Sequence, residues 1–113
     1  MNTTTQNSQI EWTRINNDVN GNPRYVCHFT ALITDKDREA AARLEALKRN
    51  MAKENYGKPY VFAVDIQYEI ALKRARKLGG RKFHNKQYGG GIVFQSYNIS
   101  DTEKQIKELL AII

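Results

Sequence analysis

Asn20-Gly21-Asn22-Pro23-Arg24-Tyr25-Val26-Cys27-His28-Phe29-Thr30-Ala31-Leu32-Ile33-Thr34-Asp35-Lys36-Asp37 carries three structural signals in succession. Asn-Gly offers the two positive-φ positions of a tight hairpin turn. Pro23 has no amide donor and suits the start of a strand or a sheet edge. From Arg24 to Ile33, Tyr25, Cys27, Phe29, Ala31 and Ile33 alternate with Val26, His28, Thr30 and Leu32, the period of a strand. Ile10 to Ile15 reads as its partner, so an antiparallel hairpin is predicted. Thr34 then provides a capping hydroxyl with an acid three residues on, and acids favour a first helical turn. A helix is predicted to start at Asp35.

Along that helix Ala40, Leu44, Leu47 and Met51 step by four, three and four, an apolar seam suited to the sheet or to a second copy. Glu39 with Arg43 and Glu45 with Arg49 form i,i+4 pairs outside it. The helix should reach about Glu54, stopped by Asn55, Gly57 and Pro59. Tyr60 to Val64 reads as a short strand or an extended connector, and Asp65 as the cap of a second helix ending at Leu78. Tyr68, Ala71, Leu72, Ala75 and Leu78 share one face of it, and Glu69, Lys73, Arg76 and Lys77 the opposite one. Ile70 lies on the charged side. Gly79-Gly80 is a helix stop of the positive-φ type. Arg81 to Gln87 and Ile92 to Ile99 read as a second strand pair joined around Tyr88-Gly89-Gly90-Gly91. Ser100-Asp101-Thr102-Glu103 reads as a capping box before a last helix, 101–113, with Ile106, Leu109, Leu110 and Ile113 on one stripe.

Ile33-Thr34-Asp35 recurs as Ile99-Ser100-Asp101, each time after a hairpin, through duplication or through shared capping chemistry. The expected fold is α+β: an antiparallel sheet of four to five strands from two hairpin-helix (ββα) units, with helices packed on one face and one additional helix between the units. At 113 residues with 41% apolar, the chain has the size and composition of a single domain, expected at 9–113. Residues 1–8, rich in Asn, Thr, Gln and Ser, are expected to form a disordered tail. Trp12, Tyr25, Tyr60, Phe62, Phe94 and Tyr97 read as core or sheet-face residues.

The start of the chain lacks the pattern of a secretory signal, and no 18-residue apolar run is present. The single cysteine, Cys27, cannot form an internal disulfide. A cytoplasmic location is expected, with no membrane association. The net charge of +6 is unevenly distributed. Ile70 to Ser100 contains no Asp or Glu but seven Lys and Arg, leaving eleven basic and twelve acidic residues elsewhere.

That segment forms the candidate site: Lys73, Arg74, Arg76, Lys77, Arg81, Lys82, His84, Lys86 and Tyr88. Closely spaced cations suit phosphates, and Phe83 and Tyr88 are flat side chains suited to stacking on bases. The leading expectation is a non-enzymatic nucleic-acid-binding accessory protein, monomeric or homodimeric, with DNA and RNA undistinguished. A protein-interaction module or inhibitor engaging an acidic patch on a host protein uses the same charges, and a plain solvated surface also fits them. A third reading, a small metal-independent ribonuclease, makes His84 a general acid/base, although the segment holds no carboxylate partner. No cofactor or catalytic residue is expected. No metal site is expected either, since His28, His84 and Cys27 lack metal-ligand spacing. Cys27 fits core packing. Gly89 to Gly91 precedes a strand, whereas phosphate-cradling loops precede a helix, so it suits a hairpin loop.

In Asn17 to Val26, Ala75 to Phe83 and Gly89 to Tyr97 the chain resembles small proteins without established activity encoded on bacterial phages and other mobile elements. The likeness covers about half the chain and leaves out the helix from Asp35 to Glu54, which it marks as a variable insertion. It implies an accessory protein in a bacterial cytoplasm, acting on nucleic acid or a host factor, and assigns no site residues.

Overall fold

The computed structural model describes residues 10–54, 61–84, 86 and 89–113. The expected tail at 1–8, the helix stop at Asn55, Gly57 and Pro59, and Tyr60 and Tyr88 lie outside the described residues. In chain order the elements are β1 (Thr13–Ile15), β2 (Arg24–His28), a 3-10 turn (Phe29–Leu32), α1 (Asp35–Glu54), α2 (Ala63–Lys77), β3 (Arg81–Phe83), β4 (Gly91–Gln95) and α3 (Ile99–Ala111). The fold is α+β, with one four-stranded antiparallel sheet in the order β1-β2-β4-β3. Each hairpin places its first strand at an edge and its second in the centre, so the two hairpins join through β2 and β4.

The first hairpin forms, but its turn is wider than the tight Asn-Gly turn expected. Ile15 pairs with Arg24, leaving residues 16–23 as the loop. Gly21 has φ +83, whereas no described non-glycine residue has positive φ, Asn20 included. Asp18 organises the loop instead. Its Oδ1 accepts from the amides of Asn20 (2.9 Å) and Asn22 (2.8 Å), an Asx arrangement.

β2 ends at His28 rather than Ile33 because its partner begins at Gly91, directly opposite His28. One more bond, Phe29 N–H to Gly90 O (2.9 Å), follows, and the chain then closes into the 3-10 turn. The turn buries both Phe29 and Leu32, which a strand would have sent to opposite faces.

Strand register sets the core. Tyr25 pairs with Phe94 and Cys27 with Ile92, placing the four on one face. There Cys27, Ile92 and Phe94 pack with Ala71, Leu72 and Ala75 of α2 and Ile106 of α3. Trp12 meets the Phe94 ring edge-on at 5.7 Å, and its indole N–H donates to Glu103 of α3 (2.9 Å). Val26 and Val93, paired on the other face, are buried too.

α1 begins at Asp35 as its capping chemistry predicts. Thr34 Oγ1 accepts from the Asp37 amide (3.2 Å), and the Thr34 amide and hydroxyl both donate to Asp37 Oδ2 (2.8 Å each). The expected seam, however, does not pack on the sheet: Leu44, Leu47 and Met51 are 39%, 61% and 41% exposed. The inward stripe is Asp37, Ala41 and Glu45, spaced by four. Asp37 pairs with Arg74 of α2, Ala41 is fully buried, and Glu45 Oε2 accepts from the Ala63 amide at the start of α2 (3.3 Å). Two polar bonds flanking one small residue outweigh the apolar period in choosing the face.

Two helix starts differ from expectation. α2 begins at Ala63 behind Phe62, so Asp65 sits in the first turn rather than at the cap, and Glu45 supplies a carboxylate from outside. α3 begins at Ile99, capped by Asn98, whose Oδ1 accepts from the amides of Ser100 (3.1 Å) and Asp101 (3.4 Å). Ser100 is inside the helix, and Glu103 serves Trp12 and Lys107 rather than a capping box. The two Ile-Ser/Thr-Asp junctions are therefore not structurally equivalent.

Candidate functional site

The end of α2 and the edge strand β3 are held together by two glycines. Gly79 takes φ +86, and the Gly80 amide donates back to Ala75 O (2.7 Å), closing the helix. A Cβ on Gly80 would stand 2.6 Å from the Phe94 ring and 2.9 Å from Ala75 Cβ. This close approach carries Arg76 of α2 to the side of Arg81 and Lys82 on β3. With the two glycines these three cations line a concavity of about 510 Å3 that contains no acidic residue. Arg81 pairs with Val93 and Lys82 with Ile92, so the alternation of β3 sends the two charges to opposite faces of the sheet's edge.

Lys82 extends over Tyr68, its Nζ lying 5.8 Å from the ring centroid. Tyr68 packs edge-on against Phe29 at 5.5 Å, and its hydroxyl donates to Gly91 O (3.4 Å). Burial, reinforced by the Glu69 charge, raises the phenol's pKa. The sequence pattern assigns Tyr68 to the apolar face of α2. Its meeting with Lys82 follows from the β3 register, which no local pattern carries.

The nine sequence-predicted residues divide into groups. Arg76, Arg81 and Lys82 all border the cleft, Arg81 and Lys82 from opposite faces of the sheet's edge, and His84 and Lys86 are exposed just beyond β3. Lys73 and Lys77, also exposed on α2, line a separate groove. Arg74 turns inward: Nη1 and Nη2 reach the two Asp37 oxygens at 2.5 and 2.9 Å, and Nη1 also donates to Leu32 O (2.8 Å). Those bonds hold the Asp37 carboxyl well below the ordinary carboxylate range, with the Arg74 contact the largest cause. Arg74 thus ties α2 to the start of α1 and to the 3-10 turn.

Burial pushes the Cys27 thiol up to about 12, so it stays protonated at neutral pH, as suits its place in the core. His28 caps the 3-10 turn, accepting from the Thr30 amide at 3.4 Å. Among the described residues no group of three or more His, Cys, Asp or Glu is placed to hold a metal ion. No described helix is long and apolar enough to cross a membrane.

The sequence pattern of the Staphylococcus phage terminal repeat-encoded protein TreK matches residues 3–71 and 60–112 of this chain. The chain belongs to the TreK family. The TreK match extends well past the half-chain likeness to phage proteins, and it includes Asp35–Glu54. α1 thus lies within the matched span. No curated protein and no solved structure matches the chain.

Proposed function

We propose that this TreK-family chain is a non-enzymatic nucleic-acid-binding accessory protein of a phage, working in the host cytoplasm and contacting phosphates through Arg76, Arg81 and Lys82. The observation that carries this reading is the cleft itself: three cations from two elements around a glycine turn, without a carboxylate among its lining residues. A solvated surface ordinarily mixes both signs, as α1 does. Cations drawn together at an edge neutralise neighbouring phosphates and release their counterions, a favourable term that weakens with salt. His84 and Lys86, both exposed, follow β3 and would extend the contact, and Tyr88 stands two positions after Lys86 in the sequence.

The test is titration of labelled single- and double-stranded DNA and RNA across a salt series. With three phosphate contacts, log affinity should fall against log salt with a slope of about −2 to −3. The triple variant Arg76→Glu/Arg81→Glu/Lys82→Glu should abolish binding while unfolding at nearly the wild-type temperature, because the three side chains are exposed. Absence of wild-type binding to all four nucleic acids at low salt overturns the reading.

A further inference from the structure

Between α2 and the end of α3 lies a groove of about 370 Å3 that shares no lining residue with the basic cleft. Its floor is aliphatic: Ile70 from α2, and Leu109, Ile112 and Ile113 from the end of α3. Ile70, anomalous on a charged helix face, is half-buried against the core at this point. Ile112 and Ile113 remain 81% and 55% exposed. Lys73 and Lys77, one turn apart and both exposed, form the rim, and no acidic residue lines the groove. The remaining lining cation, Arg74, is neutralised by Asp37.

We infer that this groove docks an acidic amphipathic helix of a partner protein. An aliphatic floor between two helices takes the i, i+3, i+4, i+7 side chains of a third, and a lysine pair at i,i+4 spacing complements a row of Glu or Asp along it. Nucleic acid suits the groove poorly, because phosphates pressed onto four aliphatic side chains lose water without gaining donors. A second copy docking groove to groove is also disfavoured, since it brings together two lysine-rimmed grooves whose linings hold no acid to complement them. The inference is independent of the nucleic-acid reading, which concerns a cleft that shares none of these lining residues.

The probe is a fluorescein-labelled synthetic peptide about four turns long, with Leu at the helical i, i+3, i+4, i+7 positions and Glu at the flanking ones. Its controls carry Lys in place of every Glu, or Ser in place of every Leu. The acidic peptide should bind and neither control should. Lys73→Glu/Lys77→Glu should weaken acidic-peptide binding at least about tenfold and confer binding of the lysine peptide, a charge-swap rescue that unfolding cannot produce. Ile112→Ser should weaken both pairings. Arg81→Glu/Lys82→Glu, which targets the nucleic-acid cleft, should leave acidic-peptide binding intact. The inference is overturned if the acidic peptide does not bind, if Lys73→Glu/Lys77→Glu leaves its binding unchanged, if the Arg81/Lys82 variant removes it, or if sedimentation shows self-association that Ile112→Ser abolishes.

Discussion

Arg74 shows how position alone divides residues of one type. In sequence it is one of four cations within five residues, yet its side chain is only 12% exposed and its guanidinium grips an Asp37 side chain that is 14% exposed. Removing one partner of such a pair strands the other charge away from water, so Arg74→Ala should destabilise the protein by about 3 kcal/mol, read by denaturant unfolding. The exposed neighbour Lys73 should tolerate the same change within about 0.5 kcal/mol. The pair also sets a pH dependence. Because Asp37 titrates below its ordinary value of 3.8 when folded, its contribution is present above that value and is lost as pH falls through the folded pKa. Stability curves below about pH 5 should therefore fall less steeply in Asp37→Asn, from a lower plateau, than in the wild type. An unchanged acid limb would remove Asp37 from the account.

At the scale of elements, the glycine stop after α2 and the cap of α1 were legible, while the caps of α2 and α3 were not. The positive-φ stop at Gly79-Gly80 and the start of α1 at Asp35 are local chemistry, and each forms where the pattern places it. The start of α3 is misread because Ser-Asp-Thr-Glu satisfies a capping template two residues too late. Asn98 reaches the free amides first, and Glu103 is drawn off by Trp12, which lies 91 residues away in the chain. Asn98→Ala should accordingly lower stability by about 1 kcal/mol, and Ser100→Ala should have little effect. Equal losses in thermal unfolding would restore the capping box. Ile106, buried in the same core as Phe94, should lose about 2 to 5 kcal/mol on truncation to Ala, and the half-buried Leu109 less.

For the molecule as a whole, α1 turns inward a face that its apolar period does not mark, and of the two packings the seam allowed, the one on the sheet is not formed. Its seam of Leu44, Leu47 and Met51 faces outward, and the buried stripe runs through Asp37, Ala41 and Glu45. Leu47→Ser should therefore shift stability by no more than about 0.5 kcal/mol. Ala41→Leu, which forces a large side chain into a filled contact, should lower it by about 1 to 3 kcal/mol. Reversal of that order in calorimetry would return the seam to the core. The candidate site changed in the same way. The acid-free run from Ile70 to Ser100 is divided in space: its charges go to a cleft with Arg76, Arg81 and Lys82, a groove with Lys73 and Lys77, and the internal pair at Arg74.

Strand and helix periods, the glycine stop and the cap at Thr34 act over a few residues, so the sequence by itself determined an α+β chain of two hairpins and three helices. Where a strand ends depends on where its partner begins. β2 ends opposite Gly91, and the alternation from Phe29 to Ile33 has no ladder to join. Which face of α1 turns inward, which arginine is buried and which cations share a cleft depend on contacts between residues 18 to 42 positions apart in the chain or on strand register. Tertiary structure alone decided them, because the free energies of those contacts appear only after distant segments meet.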